Sequence, residues 1–118
     1  MMTDGGPPVD LDAFRKTMRE GGIEEFVEEI LEEYVKEAPE IFARLNAAVV
    51  ARDIQAIRAQ AHALKSSSLS VCARRFSAML GEMEAAAARG HLTASIAGFQ
   101  RAQPEYDAVM AYLASRSS

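Results

Sequence analysis

The sequence predicts an all-α fold, an up-and-down antiparallel four-helix bundle with an extra short N-terminal helix. Three observations carry this. Apolar residues recur at steps of three and four through successive segments, the spacing of one helical face. No segment alternates with period two for long enough to make a strand. The breaks between segments are short, which favours antiparallel neighbours.

Residues 1–8, with Gly5, Gly6, Pro7 and Pro8, show no apolar period and are expected to form a flexible tail. Residues 9–115 are expected to form a single domain. Asp10 can cap a short first helix through Met18, with Leu11, Phe14 and Met18 on one face, and Gly21 and Gly22 interrupt it. A second helix is expected to start near Ile23, with Glu24 and Glu25 at its positive end. Its stripe is Ile23, Val27, Ile30, Tyr34, Ile41, Leu45 and Val49, and Pro39 inside it predicts a kink or a break. Asp53 can cap the third helix, whose core stripe is Ile54, Ile57, Ala61, Leu64, Ser68 and Val71. The fourth carries Phe76, Leu80, Met83 and Ala87 and stops at Gly90. Thr93 can cap a fifth helix with Ile96, Phe99, Tyr106, Val109 and Leu113, where Pro104 predicts a kink or a late restart. The first helix is expected to lie across one end of the bundle.

The chain of 118 residues fits one domain and can bury a core without metal or disulfide. A net charge of −4 and a pI of about 5.2 disfavour a general nucleic-acid binder. Cys72 is the sole cysteine, so no internal disulfide forms, and the start lacks the basic and apolar regions of a signal peptide. A cytoplasmic protein with no membrane partner is expected.

His62 is the residue with chemistry to offer. At 100° per residue, the core stripe of its helix centres roughly 130° away, so the imidazole faces solvent. Arg58, Lys65, Ser66 and Leu69 share its face, with Lys65 at i+3 and Ser66 at i+4. A neutral imidazole nitrogen is a nucleophile near neutral pH, and a nearby ammonium counters the charge of an attached phosphoryl group. Small neighbours leave room for another protein, and Leu69 offers an apolar contact. If the third and fourth helices turn near Cys72 and Ala73, His62 and Glu84 lie level, eleven residues to either side of Ala73. Glu84 can then accept from the imidazole Nδ1–H and leave Nε2 to attack. Each of these residues taken singly is more often an ordinary surface side chain; their coincidence at one spot raises the functional reading.

The segment Ala61-His62-Ala63-Leu64-Lys65-Ser66-Ser67-Ser68 resembles the His-x-Leu-Lys-Gly-Ser signature of histidine-containing phosphotransfer (HPt) domains. The Ala38-Pro39 pair, Asp53 ahead of the histidine helix and the Met83-Glu84 pair extend the resemblance from about residue 9 to residue 114. It implies a phosphocarrier without kinase activity of its own. The carrier would accept a phosphoryl group from a receiver-domain aspartate, often of a hybrid histidine kinase, and pass it to the receiver of a response regulator. By position, His62 matches the phosphorylated histidine, Lys65 the lysine beside the phosphoryl group, and Glu84 the residue that orients the imidazole. No cofactor is expected on this chain; Mg²⁺ belongs on the receiver. A monomer is expected, because the histidine face must stay accessible, with Arg58, Ser66 and Leu69 contacting the partner. Ser66 and Cys72 stand where the family usually has glycine; serine is small enough to permit docking, whereas Cys72 is costly if the turn needs a positive φ.

Three other readings compete. A bundle that docks receivers or kinases without phosphotransfer remains open through Ser66. A histidine-kinase fragment is disfavoured, since Ala63 rather than an acidic residue follows His62 and no glycine-rich ATP segment is present. A metal-binding bundle would need more than His62 and His91, and no pair recurs at the spacing of bundle metal sites.

Overall fold

The computed structural model describes residues 6–116, so most of the expected tail, residues 1–5, lies outside the described part. Helix α1 spans Leu11–Glu20, a 3₁₀ turn Glu24–Phe26, α2 Val27–Ala51, α3 Ile54–Ser70, α4 Arg74–Ala88 and α5 Leu92–Arg116. The caps follow the sequence in two places. Asp10 Oδ1 accepts from the Ala13 N–H at 3.0 Å, and the Asp53 side chain accepts from the Ala56 N–H at 3.1 Å. Each satisfies one of the donors a helix start leaves unpaired. Helix α1 continues two residues past Met18 before Gly21 and Gly22 end it.

Some expectations need correction. The second helix does not begin near Ile23: a 3₁₀ turn intervenes, and Ile23 is exposed instead of joining the core. The core face of α2 also takes in Leu31, Ala38 and Ala48, while Ile30 and Val49 sit at its edge. Pro39 does not break α2, which runs unbroken for 25 residues. The carbonyl that Pro39 leaves without an intrahelical donor belongs to Val35, an exposed residue, so water can serve it. Pro104 likewise lies inside a continuous α5, opposite exposed Gln100. Thr93 is not the cap of α5; it sits in the first turn. His91 precedes the helix, and its carbonyl accepts from both the Ser95 N–H and the Ser95 hydroxyl, each at 3.0 Å.

Helix α2 packs on α3, α3 on α4, α4 on α5, and α5 closes back on α2. Among the described residues there is no strand. The core holds Tyr34, Leu45, Ile57, Leu64, Phe76, Leu80, Met83, Phe99, Val109 and Leu113, each nearly or wholly removed from water. Full burial of one such side chain contributes about 1.5–3 kcal/mol. Ser68, on the core stripe, is satisfied by the Tyr34 hydroxyl at 2.7 Å, and burial pushes that phenol up to about 12. Helices α4 and α5 approach closely because Gly98 has no side chain: a Cβ there would lie 2.8 Å from Met83 Cγ. Helix α1 covers one end, burying Phe14 and Met18. The Asp10 N–H donates to the Cys72 carbonyl at 3.0 Å and the Asp10 carboxylate pairs with Arg74 at 3.1 Å, which ties α1 to the α3–α4 turn. Cys72 in that turn has φ 66, so it occupies the left-handed region usually left to glycine. No helix among the described residues is long and apolar enough to cross a membrane.

Candidate functional site

The α3–α4 hairpin builds the site. Ala61 and Leu64 point into the core with no exposed surface, and this fixes the rotation of α3. His62 between them is thereby turned outward, its side chain 61% exposed. On α4, Met83 is buried, so Glu84 emerges at the edge of the helix–helix seam, 20% exposed.

The two meet as the hairpin arithmetic requires: His62 Nδ1 lies 2.8 Å from Glu84 Oε2. The second oxygen, Oε1, lies 2.7 Å from the Lys65 ammonium. The Lys65 hydrogen bond, aided by that of His62, holds the Glu84 carboxyl below the usual carboxylate range against the opposing effect of partial burial. An ionised carboxylate only accepts, so Nδ1 must carry the hydrogen. In the neutral ring the lone pair is then on Nε2, which has no hydrogen-bond partner among the described residues. The result is a fixed tautomer with its nucleophilic nitrogen in solvent and a cation one turn away.

The other residues singled out in the sequence fall around this centre. Arg58 is exposed one turn before His62, Ser66 exposed one turn after it, and Leu69 is 57% exposed further along α3. None of these three contacts the His62–Glu84–Lys65 cluster through a hydrogen bond or ion pair; they share only its face. Two contributors were missed. Gly81 lies under the Lys65 stem, where a Cβ would sit 3.5 Å from Lys65 Cδ. The counting that paired His62 with Glu84 also pairs Lys65 with Gly81, eight residues to either side of Ala73, so the signal was present. The Ser67 hydroxyl donates to Glu37 Oε1 at 2.9 Å and braces α3 against α2; no spacing in the sequence points to that pair.

An oriented, exposed imidazole on a helical bundle is the arrangement that phosphoryl transfer between proteins requires. Residues 29–114 match the family model described as Hpt domain, and the chain belongs to that family, whose members carry phosphoryl groups in phosphorelays. It is similar to the crystal structure of histidine-containing phosphotransfer protein B (HptB) from Pseudomonas aeruginosa PAO1, with 27% identity over 95% of this chain and 96% of that one and a TM-score of 0.83. Comparison with curated proteins gave no match.

Proposed function

We propose that His62 is the phosphoryl-accepting residue of a multistep phosphorelay and exchanges the group with receiver-domain aspartates of hybrid histidine kinases and response regulators. The observation that carries this reading is the Glu84 carboxylate held 2.8 Å from Nδ1, because it leaves the Nε2 lone pair free in a single tautomer.

In the forward step Nε2 attacks the phosphorus of an aspartyl phosphate. The N–P bond forms, the bond from phosphorus to the aspartyl oxygen breaks, and the aspartate leaves as a carboxylate. No proton moves, since Nε2 was unprotonated and Nδ1 keeps its hydrogen on Glu84. The ring gains positive character during attack, and the adjacent carboxylate stabilises it. Lys65 offsets the negative charge of the transferred group, and the divalent metal is supplied by the receiver. Return transfer to a second aspartate reverses these bonds. Alignment is most of what phosphoryl transfer requires, and a side chain fixed on a packed helix supplies it.

Labelled phosphate should pass from a phosphorylated receiver of the same source to the wild type and to His91→Gln, in acid-labile form, and not to His62→Gln. A receiver that binds the wild type but never labels it would leave a docking module and remove the carrier reading.

A further inference from the structure

The distribution of charge around His62 points to the kind of surface that meets it. Eight of the 17 acidic residues lie between Glu24 and Glu40, whereas the stretch from Ile41 to Pro104 holds eight Lys and Arg but only three acids, with Asp10 and Glu105 from outside it pairing Arg74 and Arg75, within a chain of net charge −4. Those three are committed or turned away: Asp53 caps α3, Glu84 holds His62 and Lys65, and Glu82 is exposed two residues before Glu84 on α4.

Toward the α1 end of the bundle most cations are paired, Lys36 being an exception. Arg15 and Arg116 pair with Glu28, Arg19 with Glu24, and Arg74 with Asp10. At the opposite end, Arg52 in the α2–α3 turn, Arg58 near the start of α3 and Arg89 at the end of α4 are exposed, and among the described residues none has a carboxylate at ion-pair distance. Arg58 is one turn from His62 on the same face, and Arg89 is five residues beyond Glu84 in the same direction along the hairpin. Arg52 adds an independent observation. Its backbone is left-handed, φ 56 and ψ 35, a conformation glycine adopts with less strain, yet the position holds a guanidinium.

We infer that Arg52, Arg58 and Arg89 form a basic rim that docks the acidic face of the phosphoryl-exchanging partner and steers it onto His62. The inference rests on the carrier reading and specifies its partner: a protein whose reactive aspartate is surrounded by unneutralised carboxylates. A phosphorylated partner is itself anionic where the group is attached, so one positive field serves both docking and transfer. Unpaired charges at a transient contact act mainly on the encounter rate and are screened by salt.

The test measures the second-order rate constant of transfer from the phosphorylated receiver that labels His62, with phosphoramidate as a small second donor. The wild-type rate should fall by about tenfold or more as salt rises from about 0.02 M to about 0.3 M. The double variant Arg58→Glu/Arg89→Glu should be slower by about tenfold at low salt and lose most of that salt dependence. Arg52→Gly should melt higher than the wild type yet accept phosphate more slowly from the receiver, a combination that loss of fold cannot produce. Arg101→Glu, an exposed change on α5, should match the wild type with the receiver, and phosphoramidate, a small anion with no docking face, should label His62 in every variant with far smaller differences between them than the receiver shows. A salt-independent wild-type rate, or a double variant as fast as Arg101→Glu, would overturn the basic rim and leave the carrier reading standing. Absence of label from both donors would remove the carrier reading and the rim with it.

Discussion

Glu84 is the residue on which the site turns, because its two oxygens serve two different partners. Oε2 sets the imidazole tautomer and Oε1 holds Lys65 beside it. Lys65→Ala should slow receiver-to-His62 transfer by about tenfold, less than a fully buried charge partner would, because the ammonium is one-third exposed. Quench-flow labelling at saturating receiver reads this directly. Glu84 also makes a pH statement. Its folded value lies below that of an ordinary carboxyl, so ionised Glu84 contributes stability above the ordinary value and loses it as pH falls through the lowered one. The stability gap between wild type and Glu84→Gln should therefore be widest near neutral pH and close in acid, as followed by urea unfolding across pH. A gap that widens on acidification would mean the ion pair has been misassigned. The residues of this centre were legible in the sequence because a helix face and a hairpin turn convert spacing into distance. Ser67 and Glu37 were not, since they join two helices across a seam whose rotation no local pattern sets.

At the scale of elements, periodicity was the dependable signal and punctuation was the weak one. The stripes of α3 and α4 are buried nearly as read, because each alternates core and solvent positions without interruption. Neither the break allowed for at Pro39 nor the late restart allowed for at Pro104 occurs, because the cost of a helix breaker depends on where the orphaned carbonyl points; here both carbonyls belong to exposed residues. Thr93 misled because a backbone carbonyl at His91, bonded twice by Ser95, organises the start of α5 with no cap of the usual kind. Gly98 is a packing residue that no pattern announced. Gly98→Val should destabilise the fold by about 2 kcal/mol or more, since even its Cβ collides with buried Met83 and β-branching returns little helix propensity. Chemical denaturation checks it, and His62 labelling of the folded fraction should be unchanged.

The whole molecule is a packed mount for the exposed His62 ring. Four helices close on one another, α1 seals the end at the α3–α4 turn, and the histidine face stays open. An accessible His62 is compatible with a monomer, so sedimentation equilibrium should return a mass near 12.8 kDa at micromolar concentration. A stable dimer that masks α3 would be inconsistent with exchange between two partners. The bundle itself could be read from the sequence, since its core pattern spans nearly the full chain. The pairing of charges could not, because it depends on which carboxylates the fold brings to which cations. The mechanism is tested most directly by ¹⁵N-edited NMR of the phosphorylated protein. The phosphocarrier mechanism predicts phosphorus coupled to Nε2 of His62, with Nδ1 still protonated toward Glu84. Phosphorus on Nδ1, or on His91, would contradict it.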